Sequence, residues 1–304
     1  MRVLVTGGAG FIGSHLVDAL VAQGDDVVVL DNFKRGRHEH IDDHVRSGGV
    51  RLITGDIRDE ETVAGAMDGA ELVYHLAAQS NVMGAVEDMD YSFSTNVVGT
   101  YIVLKCAAAA GVRRVVFSSS REVYGDPNEI PVREDAPLVA KNPYGASKLA
   151  GEAYCRVWQE TTGLDCIVLR FANVYGPRDR DRVIPRWLTR ASEGDALEVY
   201  GGHQVIDFVW VGQAVRALLA AATCVNGGPV NVGSGAGTPI IDLGERILAL
   251  TNARSELRVL PPRSIEVVRF VADVSRMRSV LGIEPEGDPL AQLPQTKRAV
   301  APAP

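Results

Sequence analysis

The sequence has little cysteine. Its four residues, Cys106, Cys155, Cys166 and Cys224, stand far apart in 304 positions and never in Cys-x-x-Cys spacing. That leaves no zinc ribbon, redox motif or disulfide framework to build; no metal is expected, and the thiols read as buried groups of a cytoplasmic protein. No run of about eighteen apolar residues exists to cross a bilayer, since even the richest stretch, 214–225, contains Arg216. There is no basic excess: thirty-one Lys and Arg against thirty-eight Asp and Glu leave a net charge of −7. Such a balance repels a phosphate backbone unless a basic face is segregated, so no nucleic-acid partner is expected. Lys34, Arg35 and Arg37 form the densest basic cluster and read as a solvated loop after a strand. Met1 leads straight into a strand-like Arg2-Val3-Leu4-Val5-Thr6, which leaves no room for a secretory apolar segment; the mature chain is expected to start here, in the cytoplasm.

What is present is alternation. Strand-like runs at Val3–Thr6, Val27–Leu30, Arg51–Thr54, Leu72–Leu76, Val115–Phe117 and Ile167–Phe171 are separated by segments of helical period. The pattern predicts an α/β protein with a Rossmann-type, doubly wound parallel sheet. The first helix is expected from Phe11 to Gln23, with Ile12, Leu16, Ala19 and Leu20 on one face and Gly24 as its stop. After Tyr175 the alternation breaks at Gly176-Pro177 and a charged loop precedes a helix over 184–193. We divide the chain into a nucleotide-binding part, 1–175 and 205–233, and a smaller C-terminal substrate-binding lobe, 176–204 and 234–304. From Pro285 onward Pro289, Pro294, Pro302 and Pro304 punctuate a polar stretch that reads as a loosely held tail.

Thr6-Gly7-Gly8-Ala9-Gly10-Phe11-Ile12-Gly13 follows a strand and opens a helix. Gly7 and Gly10 allow a tight turn and a close approach of pyrophosphate to the unpaired N–H groups at the helix start, and Gly13 lets the helix pack on the sheet. Alone the motif could be a mere strand-to-helix turn. Here Asp31 closes the second strand about twenty residues on, where a carboxylate can accept from ribose hydroxyls. The same carboxylate repels a ribose phosphate, so NAD is favoured over NADP, although Arg35 and Arg37 lie close by. Asn32, Asp56-Ile57 and Leu76-Ala77-Ala78, at later strand ends, are placed at the same cofactor, as are Asn96 and Ser118.

Asn142-Pro143-Tyr144 reads as a helix cap and first turn, with a helical pattern running to about Thr161 before Gly163. Tyr144 and Lys148, four apart, project from one face. An ammonium beside a phenol is expected to lower its pKa from about 10, so that Tyr144 can take a proton from an alcohol while hydride leaves for nicotinamide. On an isolated amphipathic helix such a pair is commonplace. Ser118-Ser119-Ser120, about twenty-five residues earlier at a strand end, brings a third polar group, a hydroxyl, to the same sheet edge.

With Gly7-x-x-Gly10-x-x-Gly13, His75-Leu76-Ala77-Ala78, Asn96-Val97-Val98-Gly99-Thr100, Ser118-Ser119-Ser120, Val123-Tyr124-Gly125, Tyr144-x-x-x-Lys148, 170–177 and 231–235, the chain resembles an extended short-chain dehydrogenase/reductase of the NAD-dependent epimerase/dehydratase family, over nearly its whole length. The resemblance implies that Ser120 hydrogen-bonds the sugar hydroxyl being oxidised, that Asn173 contacts a diphosphate, and that Val183, Ile184, Tyr200 and Arg263 hold a nucleotide. For Ile184 and Tyr200, packing of the second lobe accounts for the residues equally well. It further implies a nucleotide-sugar substrate and a homodimer paired through the helix faces near 97–104 and 149–158.

Two departures from the family pattern stand out. Ile206 replaces an arginine and Gln213 an aspartate, so Arg178, Arg180, Arg182 or Arg263 would have to hold the phosphates. Glu122 stands two residues after Ser120, where the 4-epimerases carry a small or neutral residue and dehydratases and decarboxylases a glutamate; Arg121 before it cannot donate a proton to a leaving hydroxyl. Glu122 is either a second base or an ion-paired carboxylate. The leading expectation is a nucleotide-sugar 4-epimerase working through a transient 4-keto sugar; a dehydratase, decarboxylase or 5-epimerase using Glu122 is the alternative. A non-catalytic NAD sensor is disfavoured by the intact Ser120, Tyr144 and Lys148.

Overall fold

The computed structural model describes residues 1–225 and 227–300. Among these residues one sheet carries seven parallel strands in the order β10-β6-β5-β4-β1-β2-β3. They are β1 (Arg2–Thr6), β2 (Asp26–Asp31), β3 (Val50–Thr54), β4 (Leu72–His75), β5 (Arg114–Ser120), β6 (Asp165–Phe171) and β10 (Val230–Val232). Strands such as Val27-Val28-Val29-Leu30 are apolar on both sides because both faces of the sheet are covered. Alternate residues enter different cores: Val3, Val5, Val27, Val29 and Val116 join one, while Leu4, Val28, Leu30, Val115 and Phe117 join the other. Strand order reverses beside β1, which opens the crevice at the carboxyl ends of β1 and β4.

The first helix, Phe11–Ala22, ends through Gln23 and a left-handed Gly24 as expected. Helix Pro143–Thr162 is capped by Asn142 Oδ1, which accepts from Gly145 N at 2.9 Å, and stops at left-handed Gly163. A β-carbon on Gly145 would come within 2.4 Å of the Glu122 carbonyl, so the missing side chain seats this helix on the turn that follows β5.

A second lobe has its own core of Tyr175, Ile184, Trp187, Leu188, Leu197, Val199, Phe208, Ile240 and Leu243. It contains β7 (Asn173–Tyr175), β8 (Leu197–Tyr200), β9 (Val205–Trp210), β11 (Gly237–Pro239), β12 (Leu257–Leu260) and β13 (Arg269–Phe270). β9 pairs with β7, β11 and β13, so residues 205–210 lie in this second sheet. The following helix, Val211–Ala221, packs against Phe11–Ala22, and β10 returns to the main sheet beside β6.

The tail requires correction. Residues 293–300 form a helix, Leu290, Leu293 and Thr296 are buried, Tyr175 donates its phenol proton to Pro289 O at 2.7 Å, and Arg246 pairs with Asp288 at 2.7 Å. The apolar residues between the prolines dock on helix Val183–Glu193; Pro302 and Pro304 lie outside the described residues.

Candidate active site

A cleft of about 1320 Å³ runs from the glycine turn after β1, past the ends of β4 and β5, to the second lobe. It exceeds the several hundred Å³ of a site for one small molecule, and suits two extended ligands end to end. At one end Gly7 sits at φ 74°, where a β-carbon would lie 2.7 Å from Ala77 N. The turn therefore presses onto the end of β4. Helix Phe11–Ala22 begins at Gly10 with no side-chain cap, leaving its first N–H groups to face the cleft.

Asp31 ends β2 and is 7% exposed; its two oxygens accept from Ala9 N at 3.0 Å and Phe33 N at 2.8 Å, yet it lines the cleft. Burial raises its pKa, with those two bonds opposing. Arg35, which could have favoured a ribose phosphate, instead reaches Asp181 at 2.6 Å. Gly7, Gly10, Phe11, Ile12, Gly13, Asn32, Ile57, Leu76, Ala77, Ala78 and Ser118 line this half. These features fit an adenine dinucleotide with free ribose hydroxyls: a bare helix start for the pyrophosphate and a carboxylate for the ribose.

Two predicted contacts stand apart. Asn96 does not line the cleft; its amide joins Gln79 O at 3.0 Å and Ser147 Oγ at 2.9 Å, and its oxygen accepts from Gln79 N. It ties the loop after β4 to the Tyr144 helix. Asp56 is held by Arg58 at 2.8 Å, and that guanidinium draws its pKa down to about 2.

At the centre Ser120, Tyr144 and Lys148 converge. Ser120 is the last residue of β5, and its hydroxyl, which accepts from Glu122 N at 3.2 Å, lies close to the Tyr144 phenol. Lys148 Nζ donates to Ser118 O at 2.7 Å and lies 5.9 Å from the Tyr144 ring centroid. The expected lowering of the phenol pKa is corrected here. Burial pushes Tyr144 up to about 12, with Arg182 and the nearby Ser120 hydroxyl opposing the rise and Glu122 adding to it. Burial also drives Lys148 down to about 8. Lys148 Nζ is turned toward the backbone of β5, where Ser118 O accepts from it.

Glu122 is neither exposed nor free. Its carboxylate pairs with Arg121 Nη2 at 2.9 Å and accepts from Asn142 Nδ2 at 2.7 Å, while Arg121 Nε donates to Asn173 Oδ1 at 2.6 Å. One cap residue thus orients both the Tyr144 helix and Glu122. At the far end lie Asn173, Val183, Ile184, Tyr200 and Arg263; Arg263 stacks on Tyr200 at 3.7 Å and pairs with Glu266 at 3.0 Å. Ile206 lines the cleft, but Gln213 is buried away from it, joining Gly233 O to Glu286 N. Its departure from the family pattern concerns packing and leaves phosphate binding untouched. Arg178, Arg180 and Arg182 do reach the cleft, paired with Asp18, Glu39 and Asp179.

The sequence reading overlooked a buried support. Ser119 and Arg170 both hold Glu152, and Arg170 donates to the Tyr124 phenol, which donates to Asn231 Oδ1 at 2.7 Å. A lone Glu152 on an amphipathic helix carries no signal; only strand register brings Arg170 opposite Ser119.

The profile of the NAD dependent epimerase/dehydratase family matches residues 3–233. A UDP-glucose 4-epimerase of Mycolicibacterium smegmatis is 38% identical, with 94% of each chain covered. The crystal structure of a UDP-glucose 4-epimerase from Thermotoga maritima, with UDP-glucose, superposes with a TM-score of 0.93 at 33% identity, covering 98% of both chains. A dTDP-glucose 4,6-dehydratase from Streptomyces venezuelae, with NAD bound, reaches 0.93 at 33% identity over 98% of this chain and 96% of that one.

Proposed function

Because the chain belongs to the NAD-dependent epimerase/dehydratase family, we propose that it interconverts the C4 epimers of a UDP-hexose-type nucleotide sugar. Backbone likeness does not choose between epimerase and dehydratase, since relatives of both kinds superpose equally well. The observation that carries the choice is the engagement of Glu122 by Arg121 and Asn142. A dehydratase must lift a carbon-bound proton and protonate a leaving hydroxyl. A carboxylate held by a guanidinium is a poor base, and the guanidinium is no acid.

NAD, when bound against Gly7, Gly10, Gly13 and Asp31, supplies a hydride acceptor and, in oxidised form, a positive charge. The chain's own residues do the rest. Ser120 orients the sugar's 4-hydroxyl, Tyr144 takes and returns its proton, and Lys148, fixed on Ser118 O, keeps a cation beneath the site. Asn173 and Arg263, with Tyr200, Val183 and Ile184, hold the diphosphate and base, and Arg182 compensates for Ile206. Exposed Met89, Phe93, Val98, Tyr101 and Val157, on the outer surfaces of the helices around 89–109 and 143–162, support a homodimer. No disulfide joins Cys106, Cys155, Cys166 and Cys224, which is consistent with a reducing cytoplasm.

The test is product NMR of UDP-glucose with holoenzyme. UDP-galactose should accumulate to equilibrium without net NADH. Tyr144→Phe, which removes one oxygen, should keep bound NAD and lose more than about a hundredfold in rate; a dehydrated product, or near-normal turnover by the variant, contradicts the reading.

A further inference from the structure

We propose that the sugar taken by this cleft carries a carboxylate, as a hexuronate does, and that Arg121 recognises it; the inference rests on the nucleotide-sugar reading above. Arg121 follows Ser120 directly, its side chain is only 12% exposed, and it lines the cleft. A guanidinium removed from water is costly unless its N–H groups are used. Nε is used by Asn173 and Nη2 by Glu122, while the Phe270 ring lies 5.9 Å from the guanidinium carbon. Nη1 has no acceptor among the described residues and is not sealed within the protein. Glu122 does not use up the guanidinium, because its other oxygen belongs to Asn142 and its hold leaves the Nη1 edge open.

The phosphates of the substrate account for the Nε edge alone, which holds Asn173, and leave the open Nη1 edge unexplained. They hang from C1, across the ring from the C4 hydroxyl that Ser120 and Tyr144 address. With Ser120 on the C4 hydroxyl, we set the open Nη1 edge of the adjacent Arg121 against a substituent of a neighbouring carbon, and in a hexuronate the carboxylate grows from one such carbon, C5. A neutral hydroxymethyl group there needs no cation, whereas a carboxylate gains a charge-assisted hydrogen bond.

The chemistry adds a second reason. Oxidising C4 of a uronate creates a β-keto acid. Its C5–carboxylate bond can break to release CO2, the electron pair passing to an enolate on the C4 oxygen; a proton from water then reaches C5 and leaves a 4-keto pentose. This route moves negative charge away from the carboxylate. A guanidinium bonded to that carboxylate stabilises the charge where it stands and so slows the loss, which lets hydride return complete the epimerisation. Arg121 is therefore a recognition residue that also protects the intermediate.

The experiment compares UDP, UDP-glucose and UDP-glucuronate by calorimetry on the holoenzyme at fixed ionic strength, with NMR of the products. UDP-glucuronate should bind at least about tenfold more tightly than UDP-glucose. Arg121→Gln should erase the ratio of the two sugar affinities even where its lost bond to Asn173 weakens UDP itself, Arg121→Lys should keep part of that ratio, and Arg121→Gln should release a larger pentose fraction. Equal wild-type affinity for the two sugars, or a preference that survives in Arg121→Gln, overturns the inference; the wild-type comparison decides even if the variant does not fold. Conversion of UDP-glucose with equal binding removes the acidic sugar and leaves the epimerase reading standing. Preference for UDP-glucuronate with neither sugar turned over supports the inference and removes that reading.

Discussion

His75 shows how one buried side chain ties the site to the fold. Its Nδ1 meets Thr6 Oγ1 at 2.8 Å and its Nε2 meets Thr100 Oγ1 at 2.9 Å, joining β1 to the helix behind β4. Burial holds its pKa down to about 3 from an ordinary 6.5, with the Lys148 charge assisting. The folded state keeps this ring neutral, so its stability is complete above 6.5 and is lost as pH falls toward about 3, where the unfolded chain alone takes the proton. Each pH unit inside that window costs up to about 1.4 kcal/mol. Urea midpoints at pH 7 and pH 5 should therefore fall less in His75→Gln than in wild type, by roughly 2 kcal/mol of stability. An equal fall would show that His75 does not titrate between them. The same scale displays what sequence conveys and what it hides. Tyr144, Lys148 and Ser120 were legible because spacing on a helix and position at a strand end are local facts. That Lys148 points at Ser118 O, and that Glu122 is taken by Arg121, depend on side-chain geometry that spacing does not encode.

At the scale of elements, helix Pro143–Thr162 is the part on which the chemistry depends. Asn142 was readable as its cap, from Asn-Pro before a helical run. Its second task, holding Glu122 at 2.7 Å, was not readable, because twenty residues separate the two. Asn142→Ala should cost about 1 kcal/mol through the lost cap and lower turnover beyond that, since the first turn carrying Tyr144 loses an anchor. Denaturation and kcat measured together check this; unchanged kcat at reduced stability would reduce Asn142 to a cap. The strands through β6 were legible because parallel strands buried on both faces form continuous apolar runs. β9 was not legible as a strand, and 205–233 was assigned whole to the nucleotide-binding part, since the pairing of β9 with β7 and β13 is set by contacts distant in sequence. The C-terminal helix was missed because prolines masked a short apolar face that only the second lobe completes.

At the scale of the molecule, a chain of net charge −7 gathers Arg121, Arg178, Arg180, Arg182 and Arg263 along one cleft. Composition could not show this, because acidic partners on several elements balance these arginines. Outside the cleft, Tyr101, Tyr154 and Trp158 form an edge-to-face cluster on the helices that we assign to the dimer. Light scattering at micromolar concentration should give twice the chain mass, and Tyr101→Glu, placing a charge on a 39%-exposed position, should shift it toward monomer; a wild-type monomer removes the dimer.

The account rests on a reaction confined to C4. In deuterated water the holoenzyme and a UDP-hexose should yield the C4 epimer with no deuterium at C5, and Glu122→Gln should keep most of that activity. Deuterium at C5 that disappears in Glu122→Gln would make Glu122 a carbon base and contradict it.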